Sequence, residues 1–172
     1  MATNTLKFYS LNYKEAKTYL VASVFVIGNI LFPQFCHLIP NGGLILLPIY
    51  FFTLIAAYKY GWKVGLLTAV FSPLVNSALF DMPVLTVLPI ILLKSILLAC
   101  LAGLAAKYFN RISIPILLGV VLGYQLTGIL GEWLLNGSFY IAIQDFRMAI
   151  PGMLLQVFGG YLFIKIDKNL FI

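Results

Sequence analysis

Six apolar runs, each close to the length of a bilayer crossing and joined by short polar turns, constrain this chain more than any other feature. A helix needs about 20 apolar residues to cross the hydrocarbon core of a membrane. Between clusters of charged and turn-forming residues the sequence offers such runs at 19–38, 43–58, 64–80, 84–106, 114–135 and 148–164. Charged residues make up 9% of the chain and hydrophobic ones 62%, whereas a soluble domain carries about 25% charge. So few charges cannot coat a water-facing surface. The expected fold is an all-α integral membrane protein: one compact bundle of six transmembrane helices over residues 1–172, with a short cytoplasmic segment at 1–18. No repeat, low-complexity tract or internal boundary divides it.

The net charge of +6 has a pattern of its own. Lys7, Lys14 and Lys17 precede the first run, Lys59 and Lys63 flank the turn after the second, Lys107 and Arg111 flank the turn after the fourth, and Lys165 and Lys168 follow the sixth. The alternate turns, around Pro40-Asn41-Gly42, Asp81-Met82-Pro83 and Asn136-Gly137-Ser138, hold no basic residue. Basic residues gather on the cytoplasmic side of membrane proteins, so both termini are expected in the cytoplasm. Charge distributed in this way suits a lipid bilayer and argues against a nucleic-acid partner. The first run has polar sequence before it and no small-x-small cleavage site after it, and reads as a retained helix. Cys36 and Cys100 lie in separate apolar runs without metal-ligand spacing, and read as small buried hydrophobes.

In a lipid-embedded bundle the polar residues carry the information, because each must be satisfied internally. In the fifth run Gln125, Glu132 and Asn136 are seven and four apart, on one helical face. Gly119, Gly123, Thr127 and Gly131 recur every four residues and average to the opposite face, the spacing that lets a neighbouring backbone approach. Gln125 and Glu132 then serve either as structural glue between helices or as the lining of a polar interior. In the third run Gly61, Gly65 and Ala69 give a small-residue stripe in the inner half, continued outward by Ser72 and Asn76. Ala99, Ala102, Gly103 and Ala106 repeat the inner stripe in the fourth. The expectation is a bundle closed at its inner end and open at its outer end.

Lys94 is the sharpest single signal. Counted from residue 84 it lies about 15 Å below the outer end of its helix, where a lysine costs about 2.5–3.5 kcal/mol even on lenient insertion scales. No charged residue lies three or four positions away, so its partner must come from elsewhere: Glu132, or Asp145 at the start of the sixth run. Gln144 and Arg147 share a face near that start. The readings are a structural Lys–Glu pair or a ligand site. Trp133 adjoins Glu132 and can line a pocket, while Phe139 and Tyr140 read as interfacial aromatics. His37 closes the first run beside Gln34 and Asn41. No metalloprotease helix, nucleophile elbow or phosphate-cradling loop is present. The chain is therefore not expected to be an enzyme, and no cofactor, metal site or catalytic residue is expected.

One stretch, 40–108, resembles a known family. Pro40-Asn41-Gly42-Gly43, the Lys59-Tyr60-Gly61-Trp62-Lys63-Val64-Gly65 turn, Ser72-Pro73-Leu74-Val75-Asn76, Phe80-Asp81-Met82-Pro83 and Leu88-Pro89 are similar to the membrane-embedded substrate-binding S component of energy-coupling-factor (ECF) vitamin transporters. The resemblance implies a multi-pass protein of the bacterial cell (inner) membrane that takes a small vitamin-like nutrient from the outer side. It implies a pocket between the fourth to sixth helices and the first outer loop. It implies as partners a small-molecule substrate, a transmembrane T subunit and two cytoplasmic ATPases. The residues expected to bind substrate are Asn76, Lys94, Gln125, Glu132, Trp133, Gln144 and Arg147. The family's docking signature on its first helix, Ala-x-x-x-Ala, is replaced here by Ala22-Ser-Val-Phe-Val26. The alternative is a membrane scaffold without substrate, similar to the rod-shape-determining membrane subunits of cell-wall machinery, in which Lys94, Glu132 and Arg147 form internal ion pairs.

The charge pattern is testable in sealed cells. A membrane-impermeant thiol reagent is expected to label single cysteines replacing Asn41, Asp81 or Gly137 and to miss those replacing Lys63 or Arg111. Outside labelling of the second pair contradicts the topology.

Overall fold

The computed structural model describes residues 9–166, and every regular element among them is helical. In order these are α1 (Ala16–Cys36), α2 (Gly42–Leu46), α3 (Pro48–Tyr60), α4 (Trp62–Phe80), α5 (Leu88–Phe109), α6 (Ile114–Asn136), α7 (Phe139–Met148), α8 (Ile150–Leu154), a π-helical turn (Leu155–Gly159) and α9 (Gly160–Ile166). Lys7, Lys168 and the Asn136 side chain lie outside the described residues. Five helical spans are long and apolar enough to cross a membrane, and the bent pair Phe139–Met148 with Ile150–Ile166 brings the number to six. This is the make-up of a multi-pass membrane protein.

Local chemistry sets the ends of the helices. Proline occupies the first turn of α3, α5, α6 and α8, where its missing N–H costs nothing and its φ suits a helix start. Left-handed residues close α4, α5 and α6: the N–H groups of Asp81, Asn110 and Gly137 donate to the carbonyls of Ser77, Ala106 and Trp133, satisfying acceptors left open at a helix end. Between α3 and α4 the turn depends on Gly61 at φ +100, beside the Tyr9 carbonyl.

Three boundaries differ from the sequence expectation. The fourth span starts at Leu88, because residues 84–87 form a turn in which the Val87 and Leu88 N–H groups donate to the Val84 carbonyl. Lys94 therefore lies six residues into α5, about 9 Å from its N-terminal end rather than 15 Å. The second span is interrupted at Leu47, whose φ of 48 is left-handed. The sixth begins nine residues earlier than expected, at Phe139, with Ser138 accepting a hydrogen bond from the Ile141 N–H, and bends by 53° after Met148. Pro151 has no N–H for the Arg147 carbonyl, which breaks the ladder at the bend.

The bundle is apolar outside, and its few polar side chains within the spans are buried in a largely apolar core. On α6, Leu118, Leu122, Leu126, Leu130 and Leu134 are exposed at every fourth position, while Tyr124, Gln125 and Glu132 are buried. That is the reverse of a soluble amphipathic helix and suits a lipid-facing stripe. Deep between α1, α3 and α4 sits Asn29, fully buried. Its amide donates to Thr53 Oγ1 at 3.0 Å and Ser72 Oγ at 3.1 Å, its Oδ1 accepts from the Phe52 N–H at 3.2 Å, and the Asn76 amide donates to its carbonyl at 2.9 Å. This polar knot joins three helices.

Close backbone contact occurs where the third and fourth spans carry small residues. A Cβ added at Gly65 would lie 2.7 Å from Ala57 Cα, and one at Gly103 would lie 2.8 Å from Trp62 Cα. The expected glycine face of α6 is different. Gly119 faces open space, Gly123 and Gly131 meet only the side chains of Leu101 and Leu93, and Thr127 is exposed and bonds back to the Gly123 carbonyl. The four-residue repeat there accompanies a lipid-facing edge, not a backbone-to-backbone seam. Gly65→Leu and Gly103→Leu are accordingly expected to lower the melting temperature in detergent sharply, at a cost of about 1–3 kcal/mol or more for forced overpacking, whereas Gly123→Leu stays near the parent. Equal stability of Gly65→Leu and the parent contradicts this packing.

Candidate functional site

Lys94 and Glu132 meet inside the bundle. The Lys94 Nζ lies 2.6 Å from Glu132 Oε2, with side chains 12% and 3% exposed. One turn of α6 supplies both halves of the seat. A Cβ at Gly128 would lie 2.8 Å from Lys94 Cγ and 2.9 Å from its Cε, so the absent side chain leaves a slot for the lysine stem. Glu132, four residues on and hence on the same face, receives the ammonium at the end of that slot. Hydrogen-bonded charge pairs are short, and a partnered lysine avoids the full cost of burial in an apolar medium.

Beside the pair is a cavity of about 140 Å³. Leu44, Leu47 and Tyr50 wall it from α2, the break and α3; Ile90 and Lys94 from α5; Gln125 and Glu132 from α6; and Asp145 and Met148 from α7. A wider recess of about 350 Å³ shares Gly43, Leu44, Ile49, Val87 and Ile91 with it, and is rimmed by His37 and Asp81 from the turns after α1 and α4. The cavity and recess adjoin across these shared walls, toward the end of the bundle that carries those turns. Behind it runs a buried hydrogen-bond chain: Gln125 Nε2 donates to the Tyr124 hydroxyl at 3.2 Å, which donates to Gln156 Oε1 at 3.0 Å. The Tyr50 ring packs on Tyr124 with centroids 5.6 Å apart.

Of the seven residues expected to bind substrate, Lys94, Gln125 and Glu132 are brought together at this cavity. Asn76 is 1% exposed and sits in the knot around Asn29, its amide hydrogens donated to the Asn29 and Ser72 carbonyls. Trp133 is exposed and packs edge-on against Phe139, a pairing suited to an interfacial belt. Gln144 and Arg147 are exposed and do not line the cavity. The reason is helical phase: on α7 Asp145 and Met148, three apart, turn inward, leaving Gln144 and Arg147 outward. Residues the sequence reading did not place in the site are Asp145, Tyr50, Leu47 and Gly128. The i, i+4 spacing of Gly128 and Glu132 was the available signal for the last.

No protein-family model, no curated protein and no solved structure matches this chain. Its chemistry must be read from the cleft alone. Its apolar walls with a few convergent polar groups are the general make-up of pockets that take small molecules.

The pair predicts a double-mutant result. Lys94→Met strands the Glu132 carboxylate and is expected to cost about 3–5 kcal/mol, read as a fall in melting temperature in detergent. Lys94→Met/Glu132→Gln is expected to recover most of it. A single mutant as stable as the parent contradicts the pair.

Proposed function

We propose that this chain is a solute-binding membrane protein working as the S component of an ECF-type importer: it captures a small vitamin-like nutrient from the outer side of the bacterial cell membrane. The observation that carries the reading is the cleft beside Lys94 and Glu132, a partly enclosed cavity adjoining a wider recess toward one end of the bundle. Its walls come from the fourth, fifth and sixth spans and the segment after the first outer turn, the place the family resemblance implies for substrate. The charge pattern supports an outward-facing mouth with both termini in the cytoplasm, since His37 and Asp81 belong to the turns that lack basic residues.

Delivery then rests on a transmembrane T subunit and two cytoplasmic ATPases. A groove along α1 and α4, lined by Tyr19, Ser23, Val26, Ile27, Leu67 and Phe71, is the docking face in this reading. Ala22 is buried, so the larger side chains around it make that contact.

The scaffold alternative draws on one observation, the Lys94–Glu132 pair, which satisfies both charges without a ligand. The two readings separate on Ile91, which lines both cavity and recess. Ile91→Trp fills the mouth without touching a polar group. Solvent extracts of the protein purified from its own membranes are expected to contain a small molecule in near-stoichiometric amount, and Ile91→Trp is expected to lose it while keeping its helical content. Extracts empty of small molecules from the parent, with cell-wall synthesis proteins co-purifying, favour the scaffold.

A further inference from the structure

The cleft also carries information on the class of solute, an inference that rests on the solute-binding reading. Two carboxyl groups, of Glu132 and Asp145, face one ammonium in the cavity. Lys94 is committed to Glu132 at 2.6 Å, and the Asp145 carboxyl lies within hydrogen-bond reach of the Glu132 carboxyl without an ion pair of its own among the described residues. Arg147 points away from the cavity lining and is exposed. With all three groups ionised the site holds one negative charge in excess. Along the recess the charged group is again acidic, Asp81.

Gln125 supplies an independent indication. It is 2% exposed and lines the cavity. Its Nε2 is used on the Tyr124 hydroxyl, whose own proton goes to Gln156, and its Oε1 accepts no hydrogen bond from a described residue. This oxygen is not sealed in the core, so it is open to a ligand N–H in the cavity. The polar groups left for a ligand are thus Gln125 Oε1, the Asp145 carboxyl and the Tyr50 hydroxyl, acceptors outnumbering donors, and the remaining wall is aliphatic.

We infer that the cavity takes a small organic cation bearing N–H donors, a protonated amine on an apolar body, with its ammonium between Asp145 and Gln125. The same observations disfavour a carboxylate or phosphate, because the lysine that would attract it is already neutralised.

The test uses the purified full-length chain in detergent and two matched series of probes: 2-phenylethylamine, 2-phenylethanol and 3-phenylpropanoate, then pentylamine, pentanol and hexanoate. Thermal stabilisation is titrated for each, with Ile91→Trp setting the non-specific background. In at least one series the amine is expected to bind about tenfold or more tightly than its alcohol, the scale of a charge-assisted hydrogen bond, and the carboxylate not at all. Asp145→Asn is expected to abolish that preference, and Asp145→Glu to keep it. Stabilisation by an alcohol or carboxylate as strong as by its amine overturns the cation inference and leaves a solute site standing. A co-purified molecule lacking a cationic N–H group does the same. An amine preference that survives in Asp145→Asn also overturns it. No shift from any probe, together with extracts empty of small molecules, removes both the inference and the solute-binding reading.

Discussion

An ammonium buried among apolar helices must be met by a partner inside the protein, and the end of this bundle near the turns after α1 and α4 is organised around that requirement. Lys94 reaches Glu132 only because Gly128 leaves a slot for its stem. The pair thereby sets the register of α5 against α6, since a slide of one residue along either helix would present a different side chain to the ammonium. At another point the same rule acts through neutral groups. Asn29 spends its side-chain amide on Thr53, Ser72 and Phe52, and its carbonyl on Asn76, which holds α1, α3 and α4 together. Small residues at Gly65 and Gly103 bring backbones together toward the turns after α3 and α5. The Lys94 cavity lies toward the opposite end, near the turns after α1 and α4.

Much of this was legible in the sequence, and the physical reasons for what was not are specific. Long apolar runs set the spans, so five of them could be read within a few residues, while the sixth starts nine residues before its expected run. The partners available to Lys94 could be narrowed to Glu132 and Asp145, and it is Glu132 that pairs with it. The start of α5 was misplaced because apolar residues 84–87 read as helix, and only Pro89 pointed to a later start. The Leu47 break had its signal in Pro48, which disfavours helical backbone at the residue before it and has no N–H for the Leu44 carbonyl, although leucine is a poor choice for left-handed backbone.

Two misreadings share a cause. The four-residue repeat on α6 has the same period whether a helix face meets backbone or lipid, so period alone could not separate them. Gly128, outside the repeat, is the glycine that meets the Lys94 stem. Likewise Asn76 was a good polar residue in the wrong place: its helix face looked toward an interior, but that interior is the knot around Asn29. Arg147 and Gln144 were read on one face, which is correct, while Asp145 and Met148 on the other face are the ones that turn to the cavity.

The ion pair and the cavity are compatible roles for the same residues. A neutralised lysine makes a rigid polar wall, and it leaves the second carboxyl and the Gln125 oxygen as the groups with something to offer a ligand. The most direct measurement is an experimental density map of the protein purified from its own membranes, inspected between α3, α5, α6 and α7. The account predicts a compact, isolated feature touching Gln125 Oε1 and Asp145, with Lys94 still paired to Glu132. A cavity closed by repacked side chains, or filled by lipid-tail density continuous with the bilayer, would contradict it.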